Sequence, residues 1–302
     1  MSNIPIFLSS DNNYAPFVAT TIASICDNTK SFCDFYILDG GITEENKEKI
    51  CELKKIFNNF SIEFINVDVE KEFKGFRYNT YITKSMYSRF LIPILKPEIK
   101  RALYSDVDVI VLGDIKEMFD EPLDGYVLGA VHDYKSRDIT FEKHRIEVKL
   151  DKKHPYFDSG NLLIDCEGWK KENIFDKLMV LARTRSFEFS LPDQDILNVC
   201  FENNYKILDD KYCYCVANGV NNPDGEVLIR HFNSQIKPWH INPNTKTDMM
   251  PHLKEFWDYL KQTEFYDELY QKTLDEKEQQ NVLRTLRVVI ITNKMRTKSE
   301  AK

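Results

Sequence analysis

What this chain of 302 residues lacks narrows what it can be. It has no apolar run of the roughly 20 residues that a membrane-crossing helix needs. Its opening, Met1-Ser-Asn-Ile-Pro-Ile-Phe7, has neither the basic region nor the apolar core of a secretory leader. Those two absences lead us to expect a cytoplasmic protein. It has no surplus of positive charge: 41 Lys+Arg stand against 48 Asp+Glu, a formal net charge of −7. That balance argues against a general nucleic-acid binder. It has no sign of a disulfide framework, because its seven cysteines are scattered and odd in number, which fits reduced thiols. Cys213-Tyr-Cys215 has no second Cys/His pair at zinc-ligand spacing near it in the chain, and it reads as structural strand residues. Internal repeats and low-complexity linkers are also missing.

What is there suffices for one large globular domain with a helical end: 42% of the residues are hydrophobic and 13% aromatic. The pattern starts with a short apolar run at 4–8, then turn residues at 9–13, then apolar positions at helical spacing (Phe17, Val18, Ile22, Ile25). A second strand is expected at 35–38. A helix should open at Thr43, with Glu44 and Glu45 in its first turn and Ile50, Leu53 and Ile56 on one face. Residues 60–65 alternate as a third strand. The order β-α-β-α-β indicates an α/β sheet with helices on its faces, whose ligands sit beyond the carboxyl ends of the strands. Further strands are expected at 125–132, 161–164 and 227–232, and helices at 169–185, 194–202 and through 252–280.

Arg101-Ala-Leu-Tyr-Ser-Asp-Val-Asp-Val-Ile-Val-Leu112 is the stretch richest in chemistry. Its flanks read as strand buried on both faces, so Asp106 and Asp108 in its middle need partners. In an extended segment the two carboxylates point the same way and repel each other unless neutralised. A hard divalent cation carrying phosphates would do so. On these residues alone two enzyme classes fit. One holds a metal and a phosphorylated substrate. The other is a phosphatase of the haloacid dehalogenase type, with Asp106 as nucleophile and magnesium as the ion.

Four further segments join this run in order: Asp11-Asn-Asn-Tyr-Ala15, Tyr156-Phe-Asp-Ser-Gly-Asn-Leu-Leu-Ile-Asp165, Asp193-Gln-Asp-Ile-Leu-Asn198, and His231-Phe-Asn-Ser-Gln-Ile-Lys-Pro-Trp-His240. The set resembles glycosyltransferase family eight, retaining enzymes of the GT-A fold, over roughly residues 4–260. The resemblance implies an α/β, Rossmann-like single domain with a mixed central sheet. Residues 1–250 would form the nucleotide-sugar-binding catalytic domain. Residues 251–302 would add a helical, basic extension. It implies a metal-dependent retaining hexosyltransferase that moves galactose or glucose from a UDP-sugar to a saccharide or glycoconjugate acceptor. Cell-surface glycan, lipopolysaccharide or glycoprotein assembly is the implied setting.

Under this resemblance Asp106, Asp108 and His231 bind manganese, with magnesium as the alternative. His231 must be neutral to ligate, so binding should weaken below about pH 6. Lys237 meets the donor diphosphate and, with the metal, stabilises the departing nucleoside diphosphate. Ser10, Asp11, Asn12, Asn13 and Tyr14 form the nucleotide loop, where Tyr14 can stack on a uracil ring. Asp11 equally suits a helix N-cap. Arg89, Val107, Ser159 and Ser234 complete the donor contacts. Asp133, Asp158, Asp193 and Gln194 surround the donor sugar. An amide such as Gln194 is a poor nucleophile, which favours front-face displacement over a covalent intermediate.

Some residues depart from the family pattern. Asp158 stands where asparagine is common, Asn161 where an apolar residue is usual, Ser234 in place of a glycine, and Tyr81 in place of a histidine. His231 and Lys237 have no role in the phosphatase reading, whose motif also belongs near a chain start. A non-catalytic nucleotide-sugar binder is a further rival, supported only by Asp158. Beyond the matched core, Arg284, Arg287, Lys294, Arg296 and Lys298 surround the apolar stretch 286–291. That segment suits an anionic membrane surface, peripheral on the inner face of the plasma membrane, or an oligomer contact.

Overall fold

A computed structural model describes residues 3–78, 83–133, 141–185, 188–216, 226–234, 236–247, 250 and 252–299, with side chains to residue 290. Tyr81 lies outside the described residues, and the side chains of Lys294, Arg296 and Lys298 are likewise outside them. The strands are β1 (Ile4–Ser10), β2 (Cys33–Asp39), β3 (Phe60–Asn66), β4 (Arg101–Ser105), β5 (Val109–Val111), β6 (Leu128–His132), β7 (Phe157–Asp165), β8 (Lys206–Leu208), β9 (Tyr214–Cys215) and β10 (Ile229–His231). Seven of them form one sheet in the order β3-β2-β1-β4-β7-β6-β8, and β5-β10-β9 form a second. The large sheet is mixed: β3, β2, β1 and β4 run parallel, and β7 runs antiparallel to both β4 and β6.

Strand alternation splits the core into two layers. Ile4, Ile6, Leu8 and Leu103 face the helix Ala15–Asn28, while Phe7, Ala102 and Tyr104 face the layer built around Tyr87 and Trp169. The first three strands and the first helix lie where the pattern placed them, but the second helix is Glu44–Cys51, so Leu53 is buried in the 3-10 turn that follows it and Ile56 lies beyond that turn, exposed, rather than on one helix face with Ile50. Thr43 caps the second helix, its hydroxyl accepting from the Asn46 N–H at 3.3 Å. Two further expectations need correction. The strand expected from residue 125 begins at Leu128, because Asp124 and Gly125 turn the chain with φ of 50° and 89°. The helix expected over 169–185 is two helices, Cys166–Lys171 and Ile174–Arg185, separated by a left-handed Asn173 (φ 52°).

The extension expected from residue 251 is helical, but its first helix, Leu253–Leu260, is part of the core. Phe256, Trp257 and Leu260 are wholly buried beside the helix Ala15–Asn28. The last helix, Glu276–Ser299, is tied down by Gln279, which accepts from the Asn242 N–H (2.8 Å) and donates to the His240 carbonyl (3.0 Å). Its apolar residues Val282, Leu283, Leu286 and Ile290 pack on the core, and Arg284 and Arg287 face out. Among the described residues no helix is long and apolar enough to cross a membrane.

Candidate active site

The run 101–112 is not one strand, which corrects the alternation argument. β4 ends at Ser105 in the large sheet, β5 starts at Val109 in the small one, and Asp106-Val107-Asp108 is the bend between them. Fixed partners hold that bend. The Asp106 N–H donates to the Gly160 carbonyl (2.7 Å), and the Thr21 hydroxyl donates to the carbonyls of Val107 (3.1 Å) and Val109 (3.2 Å). The two carboxylates converge because of sheet pairing, not alternation. β10 lies antiparallel to β5 with His231 opposite Val109, and the Phe232 N–H donates to the Asp108 carbonyl (2.8 Å). The His231 Nε2 thus lies 3.2 Å from Asp108 Oδ1 and 3.8 Å from Asp106 Oδ2.

The buried carboxylates have cationic partners. Arg89 Nη2 reaches Asp106 Oδ1 (2.9 Å) and Asp193 Oδ2 (3.3 Å), Nη1 donates to the Ser159 carbonyl (2.6 Å), and Nε donates to the Met86 carbonyl (2.9 Å). The Tyr104 hydroxyl also donates to Asp106 Oδ1 (2.7 Å), and the guanidinium lies over its ring at 4.4 Å. Lys237 Nζ lies 2.5 Å from Asp108 Oδ2 and donates to the Phe232 carbonyl at 2.7 Å.

Charge states follow from this arrangement. Burial pushes Asp106 up to about 6 against the pull of Arg89, with Asp108 adding to the rise. Burial acts the same way on Asp108, but Lys237 and His231 override it and hold the carboxyl well below the usual carboxylate range. For His231, burial disfavours the imidazolium, yet Asp108 and Asp158 push its pKa well above the ordinary histidine value. In the ion-free protein His231 is therefore protonated through neutral pH. The expected weakening of metal binding below about pH 6 is corrected upward, since an ion must displace a tightly held proton.

A cleft of about 730 Å³ opens over the bend. That volume falls in the range that holds a ligand the size of a nucleotide. Ser10, Asp11, Asn13, Tyr14, Arg89, Asp106, Val107, Asp108, Ser234 and Lys237, all named above as candidate donor or metal residues, line it. The Pro238-Trp239 turn seats Lys237 and Tyr14 together. Trp239 stacks on Phe17 with ring centroids 3.5 Å apart, and Tyr14 meets both rings edge-on. Burial, then Asp108, raises the Tyr14 hydroxyl to about 12, so it stays a neutral donor.

Other expected residues have different places. Asp11 is an N-cap, its Oδ1 accepting from the Asn13 (2.9 Å) and Tyr14 (3.3 Å) N–H groups. Asn12 points away from the cleft, its side-chain carbonyl accepting from the Thr43 N–H (2.9 Å) and from the Asn46 amide (2.8 Å). Ser234 turns its hydroxyl onto the Ile236 carbonyl. Gln194 and Asp193 form a row behind the cleft wall. The Gln194 carbonyl accepts from the Ser159 N–H (3.0 Å), and Asp193 pairs with Arg89. Burial raises the Asp193 carboxyl, with Arg89 opposing. Asp133 is buried at the end of β6, its N–H donating to the Tyr156 carbonyl (2.9 Å). Asp158 lies under His231, with Oδ1 3.4 Å from Nδ1. It does not line the cleft. Asn161 bridges, accepting from the Ser105 hydroxyl (2.9 Å) and donating to Cys213 Sγ (3.5 Å).

Sequence reasoning missed Tyr104 and His240, which also line the cleft. Tyr104 was open to inference, because it stands two residues before Asp106. His240 takes part in a turn, its Nδ1 accepting from the Lys237 N–H (3.2 Å), and burial, then Lys237, lowers its pKa so that it stays neutral. Nothing in the sequence marks Ser85 and Asn233, which also line the cleft.

The residues present fit a divalent ion. Asp106, Asp108 and His231 offer two hard oxygens and an imidazole nitrogen that all lie within 4.8 Å of one another. This set suits manganese or magnesium better than zinc. Gly160 leaves room for it. A Cβ there would come within 2.5 Å of His231 Cε1 and 2.9 Å of Asp106 Oδ2.

Comparison with known proteins bears on the family and on the fold. The model of the family described as "Glycosyl transferase family 8" matches residues 5–242. The glycosyltransferase GlyF of Streptococcus pneumoniae serotype 4 is 30% identical over 260 residues, which is 83% of this chain and 60% of GlyF, so the chain spans three-fifths of that relative. A lipopolysaccharide 1,2-glucosyltransferase of Escherichia coli K12 is 25% identical over 252 residues, 78% of this chain and 73% of that protein. The structure of the galactosyltransferase LgtC with donor and acceptor sugar analogues superposes with a TM-score of 0.77 at 24% identity, covering 90% of this chain and all of that one. The mixed seven-stranded sheet is the fold of that structure.

Proposed function

The chain belongs to glycosyl transferase family 8, and on that premise we propose that it moves a hexose, galactose or glucose, from a UDP-sugar to a saccharide acceptor with retention of configuration. The observation that carries this reading is the meeting of Asp106, Asp108, Lys237 and Arg89 in the lining of the cleft, with His231 buried against the two aspartates. Asp106, Asp108 and His231 would hold manganese or magnesium, which when bound supplies Lewis-acid neutralisation of a diphosphate. Lys237, which pairs with Asp108 in the ion-free protein, would meet the leaving phosphate, where a cation acts on developing negative charge. Tyr14, held edge-on by Trp239 and Phe17, offers its face to the base. Arg89 keeps Asp106 ionised and fixes Ser159 and Asp193 behind the sugar.

Retention by a covalent intermediate needs a carboxylate directed at the anomeric carbon. Asp193 is tied to Arg89, and Gln194 is an amide turned to Ser159. These contacts support front-face displacement, in which the departing phosphate accepts the acceptor's proton. The lipopolysaccharide enzyme among the relatives supports a cell-surface glycan as acceptor. The phosphatase reading is set aside by the family. It is also opposed by Asp106, whose Oδ1 is held by both Arg89 and Tyr104.

The last helix turns Val282, Leu283, Leu286 and Ile290 to the core, which leaves Arg284, Arg287 and the exposed Val288 for a contact with an anionic bilayer that is chiefly electrostatic. Co-sedimentation with anionic liposomes that is unchanged in R284E/R287E would refute that contact.

UDP release from a panel of UDP-hexoses, with and without manganese, tests the main proposal. The expected result is metal-stimulated release from one hexose donor, lost in Asp106→Ala and His231→Ala. Full activity in either variant, or phosphate release from phosphomonoesters alone, refutes it.

A further inference from the structure

Behind the donor wall, four side chains from three strands and one loop position close into a compact knot. Asp158 comes from β7, Cys215 from β9, Cys213 from just before β9, and His231 from β10. β9 and β10 pair in parallel with Cys215 opposite His231, which fixes the thiol beside the ring. All four are buried. Cys213 Sγ lies 3.5 Å from Asp158 Oδ1 and 3.7 Å from His231 Nδ1. Cys215 Sγ lies 3.6 Å from Asp158 Oδ2, and His231 Nδ1 is 3.4 Å from Asp158 Oδ1. One ligand atom from each residue falls within 4.8 Å of the other three.

We propose that Asp158, Cys213, Cys215 and His231 form a second cation site, tetrahedral and rich in sulfur, that takes zinc or an ion of similar softness and competes with the outer trio for His231. Zinc–ligand bonds of about 2.0 to 2.3 Å put tetrahedral ligands about 3.3 to 3.8 Å apart. The four contacts above, 3.4 to 3.7 Å, fall inside that interval. The donor set is also of a different class from the outer one. Two thiolates, an imidazole and one carboxylate select zinc-like ions, whereas two carboxylates and an imidazole suit manganese.

Supporting donors are in place, as metal sites require. The Gly160 N–H donates to Asp158 Oδ1 (2.7 Å), and the Asn161 amide donates to Cys213 Sγ (3.5 Å). Two departures from the family pattern thus acquire a common purpose. Asp158 supplies the negative oxygen that an asparagine lacks, and Asn161 supplies a donor that an apolar residue lacks.

The two sites meet in one ring. Nε2 faces Asp108 and Asp106, and Nδ1 faces Asp158 and Cys213. Binding at the inner site releases two thiol protons and the Nδ1 proton to solvent. A neutral imidazole ligated through Nδ1 keeps its remaining proton on Nε2, which then cannot ligate outside. An ion in the inner site therefore weakens the outer one. Only this competition rests on the function proposed above; the inner site itself does not.

Cobalt titrated into the chelator-treated full-length protein tests the site by absorption. Tetrahedral cobalt bound to thiolates gives an intense thiolate-to-metal charge-transfer band in the near ultraviolet, and a site of oxygen and nitrogen gives none. The expected band saturates near one equivalent, is bleached by zinc, disappears in C213S and in C215S, and persists in C26S. A wild-type protein that binds cobalt without the band overturns the proposal. So does a band that survives in both C213S and C215S, or a disulfide between these cysteines, seen as two thiols resistant to alkylation until reduction. One equivalent of zinc is expected to weaken manganese binding, counted by electron paramagnetic resonance, by about tenfold or more. Unchanged manganese binding with the band present overturns the sharing of His231. None of these readouts uses glycosyl transfer, so failure of the proposed activity leaves them readable.

Discussion

Replacing Lys237 by methionine should move two measurements in opposite directions. The ammonium lies 2.5 Å from Asp108 Oδ2, with both side chains mostly buried (13% and 14% exposed), so it stands in for a cation until a divalent ion arrives. An ion entering the outer site has to take Asp108 from it. A hydrogen bond between charged groups in such a setting contributes about 1.5 to 3 kcal/mol net. Full Coulomb attraction at 4 Å in a medium of effective dielectric 20 would be about 4 kcal/mol, and desolvation consumes part of it. Without the lysine, donor-free protein should therefore bind manganese about ten- to one-hundred-fold more tightly. Methionine keeps the apolar stem packed along the Pro238-Trp239 turn, so the fold should tolerate the change.

Transfer should move the other way. A cation lost from a developing diphosphate resembles the loss of one oxyanion donor, which costs about 10² to 10³ in kcat. Manganese affinity without UDP is read by electron paramagnetic resonance, and kcat by UDP release at saturating donor. Tighter metal binding with slower turnover is the expected pair. Looser or unchanged manganese binding refutes the idea that Lys237 occupies a metal ligand in the resting state. Unchanged turnover refutes its role at the leaving group.

Three further outcomes follow from the same geometry. Manganese affinity should rise with pH by about tenfold per unit between about pH 6.5 and 7.5. Asp108 and Asp158 hold a proton on His231 above its usual pKa, and each ion bound must release it. A flat profile in isothermal titration over that interval refutes the assignment of His231. Gly160→Ala should cost manganese affinity while the fold survives, because its Cβ would intrude on His231 Cε1 and Asp106 Oδ2. Wild-type affinity in that variant would mean the ligands sit elsewhere. Trp239→Ala should lose about 3 to 5 kcal/mol in denaturant unfolding and raise the donor KM, because the indole holds Phe17, Phe256 and Tyr14 in one cluster. Unchanged KM would separate that cluster from donor binding.

How far the sequence led can be read from particular residues. The first three strands were legible because each is a short apolar run bounded by turn residues. The bend at Asp106-Val107-Asp108 was not. β4 and β5 are both buried, so no change in hydrophobic pattern marks the point where the chain leaves one sheet for the other. His231 was legible through its fixed distance from Lys237, since both lie on one continuous stretch. Cys213 and Cys215 were not, because their meeting with Asp158 depends on strand pairing between segments far apart in the chain. Asp158 was placed among the sugar contacts by its motif, and only the register of β10 shows that it lies under the ring of His231.

The charges explain why these residues occur together. Asp106, Asp108, Asp158 and Asp193 are balanced by Arg89, Lys237 and protonated His231, which leaves the wall and the groups behind it with one negative charge in excess. A divalent ion that expels the His231 proton brings the same wall to zero. It also frees Lys237 from Asp108. A diphosphate donor would be repelled by the first state and accepted by the second, so the ion should bind before the donor or together with it.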